Sequence, residues 1–145
     1  MKRNYIVLVW MVVISFVFNL IWENLQMPLY AGYIETSFFG IKCLLASMGD
    51  VIIFLSIYIL IAMKNRKFLW FLNYSKMNYI ILFVLGILVA VIVEKFALAS
   101  GRWEYAYNMP IIPIVNVGLT PVLQMFTLSV ATIGIIKLLY KRKII

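Results

Sequence analysis

The stretch that decides the fold is Met1 to Tyr30, "MKRNYIVLVWMVVISFVFNLIWENLQMPLY". Two cations precede an apolar run from Tyr5 to Leu25. A membrane span needs about 20 residues at about 1.5 Å rise each, and this run supplies them. No small-residue A-x-A cleavage site follows, so the expectation is an uncleaved first helix rather than a secretory signal. The same run ends in Asn19, Glu23, Asn24 and Gln26, where a helix surrounded by lipid would stay apolar. The question is whether the chain is only a membrane bundle or a bundle built around a site.

Composition answers the first half. Of 145 residues, 66% are hydrophobic and 12% charged, with a mean hydropathy of +1.05. Soluble domains are about 45–50% apolar and about 25% charged, so this is an integral membrane protein and, at this length, a single domain over 1–145. Three further apolar runs read as spans, Ile41–Met63, Met77–Leu98 and Val117–Tyr140. The expected fold class is all-α, a transmembrane four-helix bundle. One cysteine, Cys43, excludes an internal disulfide, and the absence of histidine excludes imidazole acid–base catalysis and His/Cys zinc sites.

The net charge of +8 is a topology signal. Lys2, Arg3, Lys64, Arg66, Lys67, Lys76, Lys137, Lys141, Arg142 and Lys143 fall on one side of four spans; Lys42, Lys95 and Arg102 fall towards the other. The positive-inside rule then predicts both termini in the cytoplasm of a plasma membrane, and no nucleic-acid footprint. "FLWFLNYSK", Phe68 to Lys76, reads as interfacial, with Trp70 and Tyr74 at headgroup level. The connection between the second and third spans otherwise reads as short and basic.

All five acids, Glu23, Glu35, Asp50, Glu94 and Glu104, sit in the outer half or outer loops. Helical spacing puts Ser15, Asn19, Trp22, Glu23 and Gln26 on one face of the first helix. It aligns Cys43, Ser47 and Asp50 on the second, and Gly86, Ala90, Glu94 and Ala97 on the third. On the fourth it aligns Thr120, Gln124, Thr127, Ala131 and Gly134. Small and hydroxyl residues are what membrane helices use to pack closely, so those positions need no ligand. The acids differ, because a charge at mid-bilayer costs about 2.5–3.5 kcal/mol on insertion scales. Asp50, eight residues past Lys42, lies about 12 Å down its helix. Asp50, Glu94 and Glu23 are therefore the candidate acid–base residues. Asn19, Trp22, Gln26, Arg102, Trp103, Tyr105 and Gln124 are the candidate ligand-binding residues; no metal ligand set is read.

Gly101 is expected to end the third helix. Arg102, Trp103, Tyr105 and Tyr107 then form either an interfacial belt or a lid with Arg102 forked onto a carboxylate or lipid phosphate. Pro110 and Pro113 bias the connection to an extended form, and Pro121 suits a first helical turn. Both outer loops are expected to fold over the bundle mouth.

Together these residues resemble a group of small four-helix bacterial integral membrane proteins with no assigned activity. The resemblance rests on E-x-x-Q-x-P-L-Y (Glu23, Gln26, Pro28, Leu29, Tyr30), on Gly49-Asp50 and on a third-helix acid, Glu94. It also rests on W-x-Y-x-x-x-M-P (Trp103, Tyr105, Met109, Pro110) and G-L-x-P-x-L-Q (Gly118, Leu119, Pro121, Leu123, Gln124). It covers most of the chain and implies a bacterial inner-membrane protein, but no reaction.

Several chemistries are excluded. "SMGD" (Ser47 to Asp50) resembles the motif of intramembrane aspartyl proteases, but that mechanism needs paired carboxylates and Asp50 is the only aspartate. Phosphoalcohol transferases need clustered aspartates for Mg²⁺, and no glycine-rich phosphate loop occurs. The remaining readings are an outward-facing polar pocket that binds or converts a lipid-like molecule by carboxylate chemistry, a small proton- or cation-coupled transporter working as a dimer, and a structural subunit of a membrane complex.

Overall fold

The computed structural model describes residues 2–32, 40–73 and 75–145. Glu35 and Tyr74 lie outside the described residues. Four helices follow in order: α1 (Lys2–Gln26), α2 (Ile41–Asn65), α3 (Lys76–Ala99) and α4 (Leu119–Lys141). All four are long and apolar enough to cross a membrane. The chain is a multi-pass membrane protein with an all-α bundle. α1 packs between α2 and α4, and α3 closes the ring against α4 and, less closely, α2.

Inside the ring the two halves differ in chemistry. At the end where α1 begins, Val7, Met11, Phe54, Tyr58, Ile61, Leu82, Ile133 and Ile136 form one apolar cluster. Towards the other end the same helix faces carry Ser15, Asn19, Gln26, Ser47, Glu94 and Gln124, all buried. Lipid is as apolar as these cores, so the apolar half gains from close van der Waals packing and the polar half from hydrogen bonds between helices.

The connection between α2 and α3 is part of the core rather than a plain basic loop. Trp70, expected at headgroup level, is only 2% exposed and packs in the apolar cluster with Phe71. The Tyr58 hydroxyl donates to the Phe68 carbonyl and so holds the connection under the bundle. The Trp70 ring lies 5.6 Å from that of Tyr58 and 5.9 Å from that of Tyr79. Besides its neighbour Phe71, these two contacts come from two helices, and a local sequence window does not bring them together.

The α3–α4 connection also has more order than an extended linker. Gly101, at φ +65°, ends α3 with the expected left-handed turn: Gly101 N–H donates to the Leu98 carbonyl and Arg102 N–H to the Ala97 carbonyl, the Schellman pattern. Further on, β1 (Ile111–Ile112) and β2 (Val117–Gly118) pair antiparallel, Ile111 with Gly118 and Ile112 with Val117. Val117, expected to open the fourth helix, is thus a strand residue, and α4 begins at Leu119. Asn116, at φ 51°, makes the turn between the strands.

The expected inner stripe of α4 is rotated. Thr127 and Gly134 are exposed, whereas Val122, Met125, Ser129, Thr132, Ile133 and Ile136 are buried. Of the expected stripe, only Gln124 is fully buried. The stripes expected on α2 and α3 hold, as do Ser15, Asn19 and Gln26 on α1.

Candidate functional site

The polar half is organised by the amide of Gln124. Its nitrogen lies 3.0 Å from Asn19 Oδ1, 2.9 Å from Glu23 Oε1 and 2.9 Å from Asp50 Oδ2. An amide nitrogen has two N–H bonds, so three acceptors on α1 and α2 share two protons. Gln26 completes the ring. Its nitrogen donates to Glu23 Oε1 and to Gln124 Oε1, both at 3.0 Å. Its oxygen accepts from Trp22 Nε1 at 3.2 Å, which fixes the orientation of the amide. Beneath them, Asn19 donates to the Ser15 carbonyl at 2.8 Å and to Ser15 Oγ at 3.2 Å. On α1, Ser15, Asn19, Trp22 or Glu23, and Gln26 follow at steps of three or four residues, the spacing that stacks side chains on one face.

The Glu23 and Asp50 carboxyls meet at one amide nitrogen, each 2.9 Å from Gln124 Nε2. Two carboxyls that share a site resist ionising together, which favours a proton on one of the pair. Glu94, across on α3, is within electrostatic range of both. Its Oε2 accepts from the Tyr105 hydroxyl and, at 3.4 Å, from Trp103 Nε1. Tyr105 is held in turn by the Gly118 N–H, which donates to its oxygen at 2.9 Å. The backbone of Gly118 is closely packed: a Cβ there would stand 3.0 Å from Met109 Sδ and 3.2 Å from Pro121 Cδ, so those neighbours would have to give way.

The segments after α1 and α3 are tied together above the carboxyls. Ala31 N–H donates to the Glu104 carbonyl at 2.8 Å, and Ala106 N–H to the Leu29 carbonyl at 2.9 Å. Tyr30 packs edge-on to Trp103 at 6.1 Å and tilted against Tyr105 at 5.7 Å. Burial first, and then nearby Glu94, push the phenol of Tyr30 well above its ordinary range. Burial and the hydrogen bond to Glu94 do the same for Tyr105, against a smaller opposing pull from the Gly118 N–H. Both rings therefore stay neutral, and Tyr105 donates to Glu94.

A cavity of about 460 Å³ lies among these groups. Glu23, Asp50 and Glu94 line it together with Gln26, Gln124, Arg102 and Trp103, so seven of the ten expected site residues converge on one space. Asn19, Trp22 and Tyr105 do not line it. They stand one layer behind, each hydrogen-bonded to a residue that does. Arg102 is not forked onto a carboxylate. Its guanidinium lies 5.3 Å over the Phe96 ring, and among the described residues it forms no ion pair.

Sequence reading missed Tyr30, Lys42, Gly49 and Met125 as lining residues. Tyr30 had a signal, since it closes the same Glu23–Tyr30 stretch; Met125 had none, because an apolar residue on an apolar helix is silent. Among the described residues no group of three or more His, Cys, Asp or Glu is arranged to hold a metal ion. A comparison with family models, curated proteins and solved structures found no match.

Proposed function

We propose that the chain is a membrane-embedded pocket protein of the bacterial plasma membrane that binds, and by carboxylate acid–base chemistry converts, a lipid-like small molecule. The observation that carries this reading is the convergence of Glu23, Asp50 and Glu94, from three helices, on one cavity. Intramembrane acids are costly and mark working sites by default. A volume of about 460 Å³ lies within the range of about 300–1,000 Å³ usual for small-molecule sites.

The chemistry follows from the donors. The Glu23–Asp50 pair holds one proton to give and one acceptor to take it back. Glu94, steadied by Tyr105 and Trp103, offers a second base across the cavity. Groups so placed suit isomerisation, cyclisation or hydration through a cationic transition state, with the carboxylates supplying the stabilising charge. The apolar cluster of Phe54, Tyr58, Ile61, Leu82 and Ile133 fills the other half of the bundle. That asymmetry favours a one-sided pocket over a conduit.

Orientation completes the proposal. Both termini face the cytoplasm and the cavity faces outward, because the basic residues gather where α1 and α3 begin and α2 and α4 end. Arg3 of α1 lies 3.9 Å over the Tyr140 ring of α4, which ties two of those ends together.

Native mass spectrometry of the detergent-purified protein, beside Asp50→Asn, tests the reading. The expected result is a monomer carrying one lipid-sized adduct that the variant loses. A ligand-free dimer in both would contradict it and favour a coupled transporter.

A further inference from the structure

The cavity is lined in part by residues that also belong to the outer surface of the bundle. Leu45 on α2 is 61% exposed and Val93 on α3 is 38% exposed, yet both line the cavity. Gly49 lies one turn below Leu45, and a side chain added there would meet nothing within 4 Å. α2 and α3 are the least closely packed neighbours in the ring. Leu45, Gly49 and Val93 lie within two candidate spans, so in a bilayer the exposed surface of Leu45 and Val93 meets lipid.

Among the described residues, few donors are hydrogen-bonded to the carboxyls at the polar end of the cavity. Three carboxyl groups offer six oxygens, with two lone-pair sites each. Among the described residues, the donors hydrogen-bonded to them are the amides of Gln26 and Gln124, the Trp103 N–H and the Tyr105 hydroxyl. Lys42 and Arg102 line the cavity but, among the described residues, form no ion pair with these acids. A ligand that brings N–H or O–H groups would fill the deficit.

We propose that the cavity is entered sideways from the bilayer, between α2 and α3, by a lipid whose amine- or hydroxyl-bearing head lies against Glu23, Asp50 and Glu94 while its chain remains in the membrane. This rests on the pocket reading above and adds to it a route and a head-group class. The lining fits the two parts of such a molecule. Leu45, Ala46, Ile53, Ala90 and Val93 supply apolar lining in the same cavity as the carboxyls.

The test uses the full chain in phosphatidylcholine nanodiscs with a trace of phosphatidylethanolamine carrying a diazirine in its acyl chain. After illumination, labelled residues are mapped by mass spectrometry. The expected labelling at Leu45, Gly49 and Val93 exceeds that at Leu138, an exposed residue of α4, by about tenfold, or ~1.4 kcal/mol of preferential binding. Gly49→Phe should erase the excess. Gly134→Phe should not, since Gly134 is equally unobstructed but sits on α4, and the pair controls for folding. A phosphatidylcholine probe, with no head-group donor, should show no excess.

Undiminished labelling in Gly49→Phe, or equal labelling by the phosphatidylcholine probe, would overturn the proposal. So would a wild type with no excess at these positions. If the adduct lost in Asp50→Asn were still seen in that case, the pocket reading would stand and only the lateral route and head group would fall.

Discussion

At the residue scale, Gln124 is the side chain on which the polar half turns. Among the described residues it alone hydrogen-bonds all of Asn19, Glu23, Gln26 and Asp50. Gln124→Leu is close in volume but leaves those partners short of a donor or acceptor. An unsatisfied buried polar group costs about 1–3 kcal/mol, and chemical denaturation in detergent should show a loss of that order. Tyr105 yields a second prediction. Its phenol is held above the ordinary range, so neutral Tyr105 favours the folded state at every pH below about 10, where the unfolded phenol ionises. That contribution is lost as pH rises beyond it. Tyr105→Phe should flatten the alkaline fall in stability, read as the melting temperature from about pH 10 upward; an unchanged profile would contradict a phenol held up by burial and by its bond to Glu94.

Much of this was legible because buried acids and amides have few other reasons to stand in an apolar helix. Glu23, Gln26, Asp50, Glu94 and Gln124 stand out against Leu and Val. What was not legible is the layer each occupies. Trp22, Asn19 and Tyr105 are as conspicuous as the lining residues, but they orient them instead, and only a partner's position shows the difference.

At the element scale, the hairpin before α4 is the part with least signal and most consequence. Two-residue strands are too short for a readable alternation, and Pro110 and Pro113 point only to extended backbone. Yet the hairpin brings the Gly118 N–H to Tyr105 and so sets Glu94. Gly118→Ala should destabilise by about 1–3 kcal/mol, the usual cost of overpacking. Met109→Ala in the same chain should recover part of it, since Met109 Sδ is the nearest atom to the added methyl. No recovery would place the strain at Pro121 instead.

The rotated face of α4 has a physical cause as well. Small and hydroxyl residues were read as inward, but Thr127 donates to the Leu123 carbonyl of its own helix at 2.7 Å. A hydroxyl satisfied in that way can face lipid. Ser129 bonds the Met125 carbonyl in the same manner at 2.5 Å and is buried. The residue type therefore does not distinguish the two faces when both are apolar.

At the scale of the molecule, four spans followed directly from composition and run length, because the bilayer fixes how long an apolar helix must be. The charge asymmetry makes orientation testable. In a Cys43→Ser background, Tyr107→Cys, at a fully exposed position on the α3–α4 connection, should react with a membrane-impermeant maleimide on intact cells. Arg142→Cys, just past the end of α4, should react only after lysis. The opposite pattern would invert the topology and put the cavity on the cytoplasmic side.

The central claim is that three membrane carboxyls share one lipid-accessible cavity and hold a proton between them. Hydrophobic carbodiimides modify carboxyls that carry a proton in an apolar setting, so dicyclohexylcarbodiimide labelling of the membrane-embedded protein is the most direct measurement. The account predicts adducts on Glu23, Asp50 or Glu94, with none on solvent-exposed Glu104. Labelling confined to Glu104, or no labelling of the three, would contradict it.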